Sequence, residues 1–155
     1  MTTLIFDLDN TTINSDARTP YFDNGDLDLT MYKVMQTRKN IFKDKLLPLA
    51  KVMRSAYNRG FEVVILTARE MTKADYDYLN FHNLKAHLIL SRNNITDAHF
   101  NLTDSLYKLQ HVKNANIDIN NSIMYDDNAL VKKVLRLNGL NVQCAHKINA
   151  RLKKA

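Results

Sequence analysis

The stretch Leu4-Ile5-Phe6-Asp7-Leu8-Asp9-Asn10-Thr11-Thr12 constrains this chain more than any other. An apolar run sized for a buried strand ends in two carboxylates two residues apart, followed by hydroxyls. Desolvating a carboxylate without a partner is costly, so the pair asks for a counter-ion, most simply a divalent metal with oxygen ligands. Residues i and i+2 share one face of an extended strand. One carboxylate can therefore attack while its neighbour handles protons.

Apolar runs at residues 2–8, 61–66, 86–90, 122–125 and 140–144 carry β-branched residues and read as buried strands. Helical patterns lie between them. Leu46, Leu49, Ala50, Met53 and Tyr57 follow the i, i+3, i+4, i+7 rule, and Gly60 sits where a C-terminal cap belongs. Thr72 and Asp75 match a capping box that opens a helix burying Ala74, Tyr78 and Phe81. Leu130, Val134 and Leu137 mark another helix, closed by Asn138-Gly139. Strands alternating with helices predict an α/β fold, a parallel sheet covered on both faces. Ligands of such sheets bind beyond the carboxyl ends of the strands. Residues 13–45, with Pro20, Gly25, many Asp and Asn and a short helix near 29–36, are too long for a simple connection and read as functional or mobile.

The 155 residues suit one domain with its own core. A single cysteine, Cys144, fits a reducing compartment. Residues 1–10 lack the basic start of a signal peptide, and no apolar run approaches the roughly 18–20 residues of a bilayer span. The expectation is a soluble cytoplasmic protein with no membrane partner. The formal charge of +6 serves either encounter with polyanions, nucleic acid included, or solubility alone; much of the excess lies in Lys147, Arg151, Lys153 and Lys154. The five histidines form no HExxH pattern or close cluster, which argues against zinc.

If the sheet is parallel, chemistry should gather where its strands end. The first strand ends in Asp7 and Asp9, the second in Thr67-Ala68-Arg69-Glu70, the third in Ser91-Arg92 and the fourth in Asp126-Asp127-Asn128. Any one of these could cap a helix. Four together are poorly explained that way.

These motifs, in this order, resemble the haloacid dehalogenase superfamily of phosphohydrolases across nearly the whole chain. The resemblance lies in Asp7-Leu8-Asp9-Asn10-Thr11, in Thr67 after an apolar strand, in a lysine ahead of the last acidic motif, and in Asp126-Asp127. Asn10 stands where many members have glycine, and Thr12 where an aliphatic residue is usual. Lys108 fits the lysine position best, its turn anchored by Leu106 and Leu109, with Lys113 as competitor and Lys85 too early.

The resemblance implies a three-layer α/β/α, Rossmann-like domain over residues 1–155, with a minimal cap or none and residues 13–45 as a loop, flap or minimal cap insert. It implies a phosphatase in which Asp7 is the nucleophile, forming an aspartyl-phosphate, and Asp9 the general acid and then base. Mg²⁺ would be held by Asp7, the Asp9 main-chain carbonyl and Asp126. Thr67 and Lys108 would bind the phosphate. Thr11 and Asp127 would support the site, Asp127 by orienting Lys108 or a metal-bound water, or else by capping the helix that starts near Ala129.

With little room for a cap, the site reads as open to macromolecules. Thr67–Glu70, Ser91-Arg92 followed by Lys108, and Ala17-Arg18-Thr19-Pro20-Tyr21 are similar to segments of the phosphatase domain of phage polynucleotide kinase/3′-phosphatases. That likeness implies nucleic-acid ends as partners, with 3′-phosphates removed and Arg18, Arg69 and Arg92 on the substrate; for a phage protein the compartment is the host cytoplasm. Tyr21 and Phe22 would stack on a terminal base or pin their loop to the core. Two alternatives stand beside this: a phosphatase of free nucleoside monophosphates or another small phosphoester, and a non-catalytic nucleic-acid-binding or partner-binding module on the same scaffold.

Overall fold

The computed structural model describes residues 1–92 and 103–154. Along them run β1 (Thr3–Phe6), β2 (Ile13–Asn14), α1 (Leu29–Met35), α2 (Arg38–Ile41), β3 (Lys45–Leu46), α3 (Leu49–Asn58), β4 (Glu62–Leu66) and α4 (Lys73–Phe81). These are followed by β5 (Leu88–Leu90), α5 (Asp104–Asn114), β6 (Ser122–Asp126), α6 (Ala129–Leu137), β7 (Asn141–Cys144) and α7 (Ala145–Lys154). Five strands form one parallel sheet in the order β5-β4-β1-β6-β7. Each of the five predicted strands is one of its members.

Side-chain alternation along the strands builds a core on each face. Leu4, Phe6, Val63 and Ile65 point to one side, where Leu49 and Met53 of α3, Tyr78 and Leu79 of α4 and Ala145 of α7 cover them. Ile5, Val64, Leu66, Met124 and Val142 point to the other, beneath Val112 of α5 and Val131 and Leu135 of α6. Three layers result. Because β4 and β5 lie on one side of β1 and β6 and β7 on the other, the topology switches at β1, and the crevice it opens lies at the carboxyl end of that strand.

Two predicted helices bury faces other than those expected. The capping box is present, with Thr72 accepting from Asp75 N–H and the Asp75 carboxylate accepting from Thr72 N–H. Yet Phe81 is 74% exposed at the end of α4, edge-on to Phe42 and His82, while Ala74 and Tyr78 are buried as expected. In α6, Leu130 and Leu137 are 54% and 77% exposed, and Val131 and Leu135 face the sheet instead. Asn128 caps this helix, its Oδ1 accepting from the N–H groups of Leu130 and Val131, so the capping role considered for Asp127 belongs to its neighbour.

Residues 13–45 fold between β2 and β3, an antiparallel pair, and carry the short helices α1 and α2. Among the described residues no helix is long and apolar enough to cross a membrane.

Candidate active site

The Asp7–Thr12 turn is wound around one carbonyl. The N–H groups of Thr11, Thr12 and Ile13 all point at the Leu8 carbonyl, at 3.0–3.1 Å. Closing so tight a turn puts Asn10 at φ +60°, a left-handed conformation that asparagine tolerates better than most residues. That accounts for asparagine where glycine is common. Thr11 Oγ1 donates to Asp7 Oδ2 at 3.1 Å, and Thr12 Oγ1 donates to the Asp7 carbonyl at 3.0 Å. Asn149 of α7 secures the turn from outside: its Nδ2 donates to the Thr11 carbonyl and its Oδ1 accepts from Leu49 N–H, both at 2.8 Å.

Lys108 is 3% exposed. Its Nζ donates to Asp7 Oδ1 at 2.9 Å and to Asp126 Oδ2 at 2.7 Å. Burial works against its charge, but the two carboxylates prevail and hold its pKa above the ordinary lysine value. Lys113 and Lys85 are exposed. Lys108 thus reaches the site as expected. Of its two expected anchors Leu109 packs against the core while Leu106 is exposed, and α5 is held further by Val112, Tyr107 and His111, whose Nε2 lies 3.1 Å from the Ser91 carbonyl and 2.9 Å from Tyr107 Oη.

Carboxylate oxygens of Asp7, Asp126 and Asp127 come within 4.8 Å of one another. One lysine cannot balance three such charges. Burial first, and then Asp126, push the Asp7 carboxyl well above the usual range, with Lys108 pulling the other way. Burial and Asp126 likewise raise Asp127. A compact all-oxygen cluster with excess negative charge suits a hard divalent cation. The side chain of Asp9 is not in this cluster.

Asp9 faces Arg69 instead. Arg69 Nε donates to Asp9 Oδ2 at 3.2 Å, its Nη2 to Asp9 Oδ1, and its Nη1 to Asp75 Oδ1 at 2.8 Å. Ser15 Oγ also donates to Asp9. Thr67 is fully buried at the end of β4; its Oγ1 accepts from Arg69 N–H at 3.1 Å, which leaves the hydroxyl proton for another acceptor.

The other two arginines are committed to the protein. Arg18 is 1% exposed, bidentate to Asp44 at 2.8–3.1 Å, paired with Gln36 and 3.6 Å from Asp75. Arg92 donates to the Ala68 carbonyl at 2.8 Å and to Asp104 at 3.0 Å, and lies over the Tyr107 ring. Tyr21 and Phe22 stand exposed on a turn closed by Gly25 rather than against the core. Sequence reading missed Asp44 and Tyr32, and took Asp75 for a cap alone. Only the charge of Asp44 and Asp75 hinted at a buried pairing.

This protein, whose parallel sheet brings the aspartate turn, Thr67, a buried lysine and paired acids to one rim, has the fold of haloacid dehalogenase-like proteins. Its fold matches a haloacid dehalogenase-like family hydrolase from Streptococcus pneumoniae with a TM-score of 0.68 at 14% identity, over 93% of this chain and 84% of that one. It also matches a chain of the Pnkp1/Rnl/Hen1 complex with a TM-score of 0.66 at 22% identity, over 94% of this chain and 45% of that one. The chain belongs to the Bacteriophage T5 5′-deoxynucleotidase family, whose model it matches over residues 1–155. It is similar to the 5′-deoxynucleotidase of Escherichia phage T5, at 44% identity over 86 residues, and this match takes in 53% of this chain but only 35% of that protein.

Proposed function

We propose that the protein is an Mg²⁺-dependent phosphomonoesterase acting on free deoxynucleoside 5′-monophosphates. The observation that carries the chemistry is Lys108 Nζ bridging Asp7 at 2.9 Å and Asp126 at 2.7 Å, which aligns a nucleophile, an acidic metal cluster and a phosphate-neutralising cation. The family match supports the substrate.

An Asp7 oxygen attacks phosphorus; the Asp7 O–P bond forms as the bond to the leaving oxygen breaks. Asp9 gives that oxygen its proton, then takes one from the water that splits the aspartyl-phosphate, regenerating Asp7 and releasing phosphate. Thr67 donates its spare proton to a phosphate oxygen, and Lys108 neutralises another. Thr11 fixes the Asp7 rotamer and Asp127 shares the acidic cluster. Mg²⁺ held by Asp7, the Asp9 carbonyl and Asp126 would supply charge neutralisation for the anionic phosphate.

A second reading keeps the mechanism but takes nucleic-acid 3′-phosphates. The likeness to the Pnkp1/Rnl/Hen1 chain favours it. Against it, Arg18 and Arg92 already serve Asp44 and Asp104, and of the three arginines Arg69 is the one paired with Asp9. The deciding assay gives the protein Mg²⁺ with deoxynucleoside 5′-monophosphates, ribonucleotides and a 3′-phosphorylated oligonucleotide. Preference for the deoxynucleotides, lost with EDTA and in Asp7→Asn, is the expected result. Preference for the oligonucleotide establishes the second reading. No hydrolysis of any phosphoester, with Asp7→Asn silent, leaves a binding module.

A further inference from the structure

The insert between β2 and β3 carries one side chain, Tyr32, that lies within electrostatic reach of Asp9 and has no role assigned to it. Helix α1 buries no residue: Leu29, Met31 and Val34 are exposed, and Tyr32 turns inward only to a half-buried position. A helix that contributes nothing to the core needs another reason to be held in place, and this one is held firmly. Asp28 caps it through Met31 N–H at 3.1 Å. Gln36 Nε2 donates to the Tyr32 carbonyl at 2.8 Å and to the Arg18 carbonyl at 3.2 Å, while Arg18 Nη1 donates back to Gln36. Arg18 in turn approaches Asp75, which pairs with Arg69, which holds Asp9. The turn carrying Tyr32 is therefore fixed, through alternating charges, to the proton-handling aspartate.

The phenol of Tyr32 lies in the field of the same groups. Burial and then the Asp9 charge raise its pKa, with Arg69 and Arg18 opposing and Asp75 adding to it. At neutral pH it is a protonated donor. Among the described residues its hydroxyl has no hydrogen-bond partner and its ring no aromatic one. Arg69, Arg18 and Asp75 all stand on the Asp9 flank, the side that meets the leaving oxygen in the mechanism above.

We infer that Tyr32 is a specificity-determining residue that contacts the alcohol half of the phosphoester rather than its phosphate. For a nucleotide substrate that half is the nucleoside, whose sugar offers hydroxyl acceptors to the phenol and whose sugar or base face can rest on the ring. This rests on the reading of the protein as a phosphatase with Asp9 as the leaving-group acid.

The test compares Tyr32→Phe and Tyr32→Ala in the full chain with Mg²⁺. Each variant is checked for folding by circular dichroism, and two substrates are used: deoxythymidine 5′-monophosphate, and acetyl phosphate, whose leaving group is small. The ratio of kcat/KM for the nucleotide to that for acetyl phosphate should fall about 10-fold in Tyr32→Ala and less in Tyr32→Phe, chiefly through KM. An unchanged ratio, whether both substrates suffer equally or neither does, overturns the inference. Should the wild type refuse the nucleotide but cleave another phosphoester, the nucleotide reading falls alone, and the same ratio is measured with that ester. A wild type that cleaves neither class removes both.

Discussion

Arg69 grips both oxygens of Asp9, Nε to Oδ2 at 3.2 Å and Nη2 to Oδ1, while its third nitrogen is held by Asp75. Burial alone would raise the Asp9 carboxyl; the charge and hydrogen bonds of Arg69, with help from Ser15, bring it down to about 2. In this state Asp9 is ionised, the form the proposed mechanism uses for the water of the second step. Delivering a proton in the first step requires that it leave Arg69.

The pair has a pH signature in metal-free protein. The folded value lies below the unfolded one of about 4, so the unfolded chain binds more protons between them. The stabilisation is complete above pH 4 and drains away as pH falls towards 2. In Arg69→Ala the Asp9 carboxyl should titrate near the unfolded value or above it, because burial then acts unopposed by Arg69. Carboxyl ¹³C NMR measures this directly, and a midpoint still near 2 would rule out Arg69 as the cause.

Lys108→Met removes the cation between Asp7 and Asp126. Breaking one side of a buried ion pair costs about 3–5 kcal/mol, because like charges are left facing each other. The variant should melt at lower temperature than the wild type and gain more from added Mg²⁺. Its kcat should drop by about 10²–10³. Equal melting with and without the lysine would contradict the bridging geometry.

Much of this arrangement was legible in the chain because it is local. A buried parallel strand is a contiguous apolar run, and the residue that ends it follows directly, so the sequence alone places Asp7, Thr67 and Asp126 on one rim. Helix faces were less legible: a 100° step means that one misjudged position rotates the stripe, as at Leu130 and Leu137 against Val131 and Leu135. The insert was opaque for a different reason. Its order depends on pairs far apart in sequence, Arg18 with Asp44 and Gln36, and Tyr78 Oη on the Asp44 carbonyl at 2.8 Å. An arginine bound for burial and one bound for substrate look alike until the partner is found.

Asn10 tests the turn itself. At φ +60° a β-carbon is strained, and asparagine tolerates the region where alanine does not. Asn10→Gly should preserve stability within about 0.5 kcal/mol and keep activity, whereas Asn10→Ala should lose about 1 kcal/mol. Urea titration at constant m-value separates the two; equal stability of both variants would mean that the turn does not adopt this conformation in solution.

Asn149 is remote in sequence from the aspartates but secures their turn. Asn149 ties α7 to both the Thr11 carbonyl and the Leu49 N–H, 138 and 100 residues away. Both contacts are buried, so Asn149→Ala leaves a donor and an acceptor without partners, at a cost of about 1–3 kcal/mol for each such group. The effect should not stop at stability. Thr11 orients Asp7 through its hydroxyl, and a carbonyl released on the same residue loosens the rotamer of the carboxylate proposed as the nucleophile. Asn149→Ala should therefore lower kcat several-fold at a temperature where the protein remains folded, with KM little changed, since no substrate contact is removed. Asn149→Asp keeps the acceptor for Leu49 N–H but loses the donor for Thr11. If it matches Asn149→Ala in kcat while recovering part of the stability, the Thr11 arm controls the chemistry. A variant that loses stability with kcat intact would confine Asn149 to holding α7 in place.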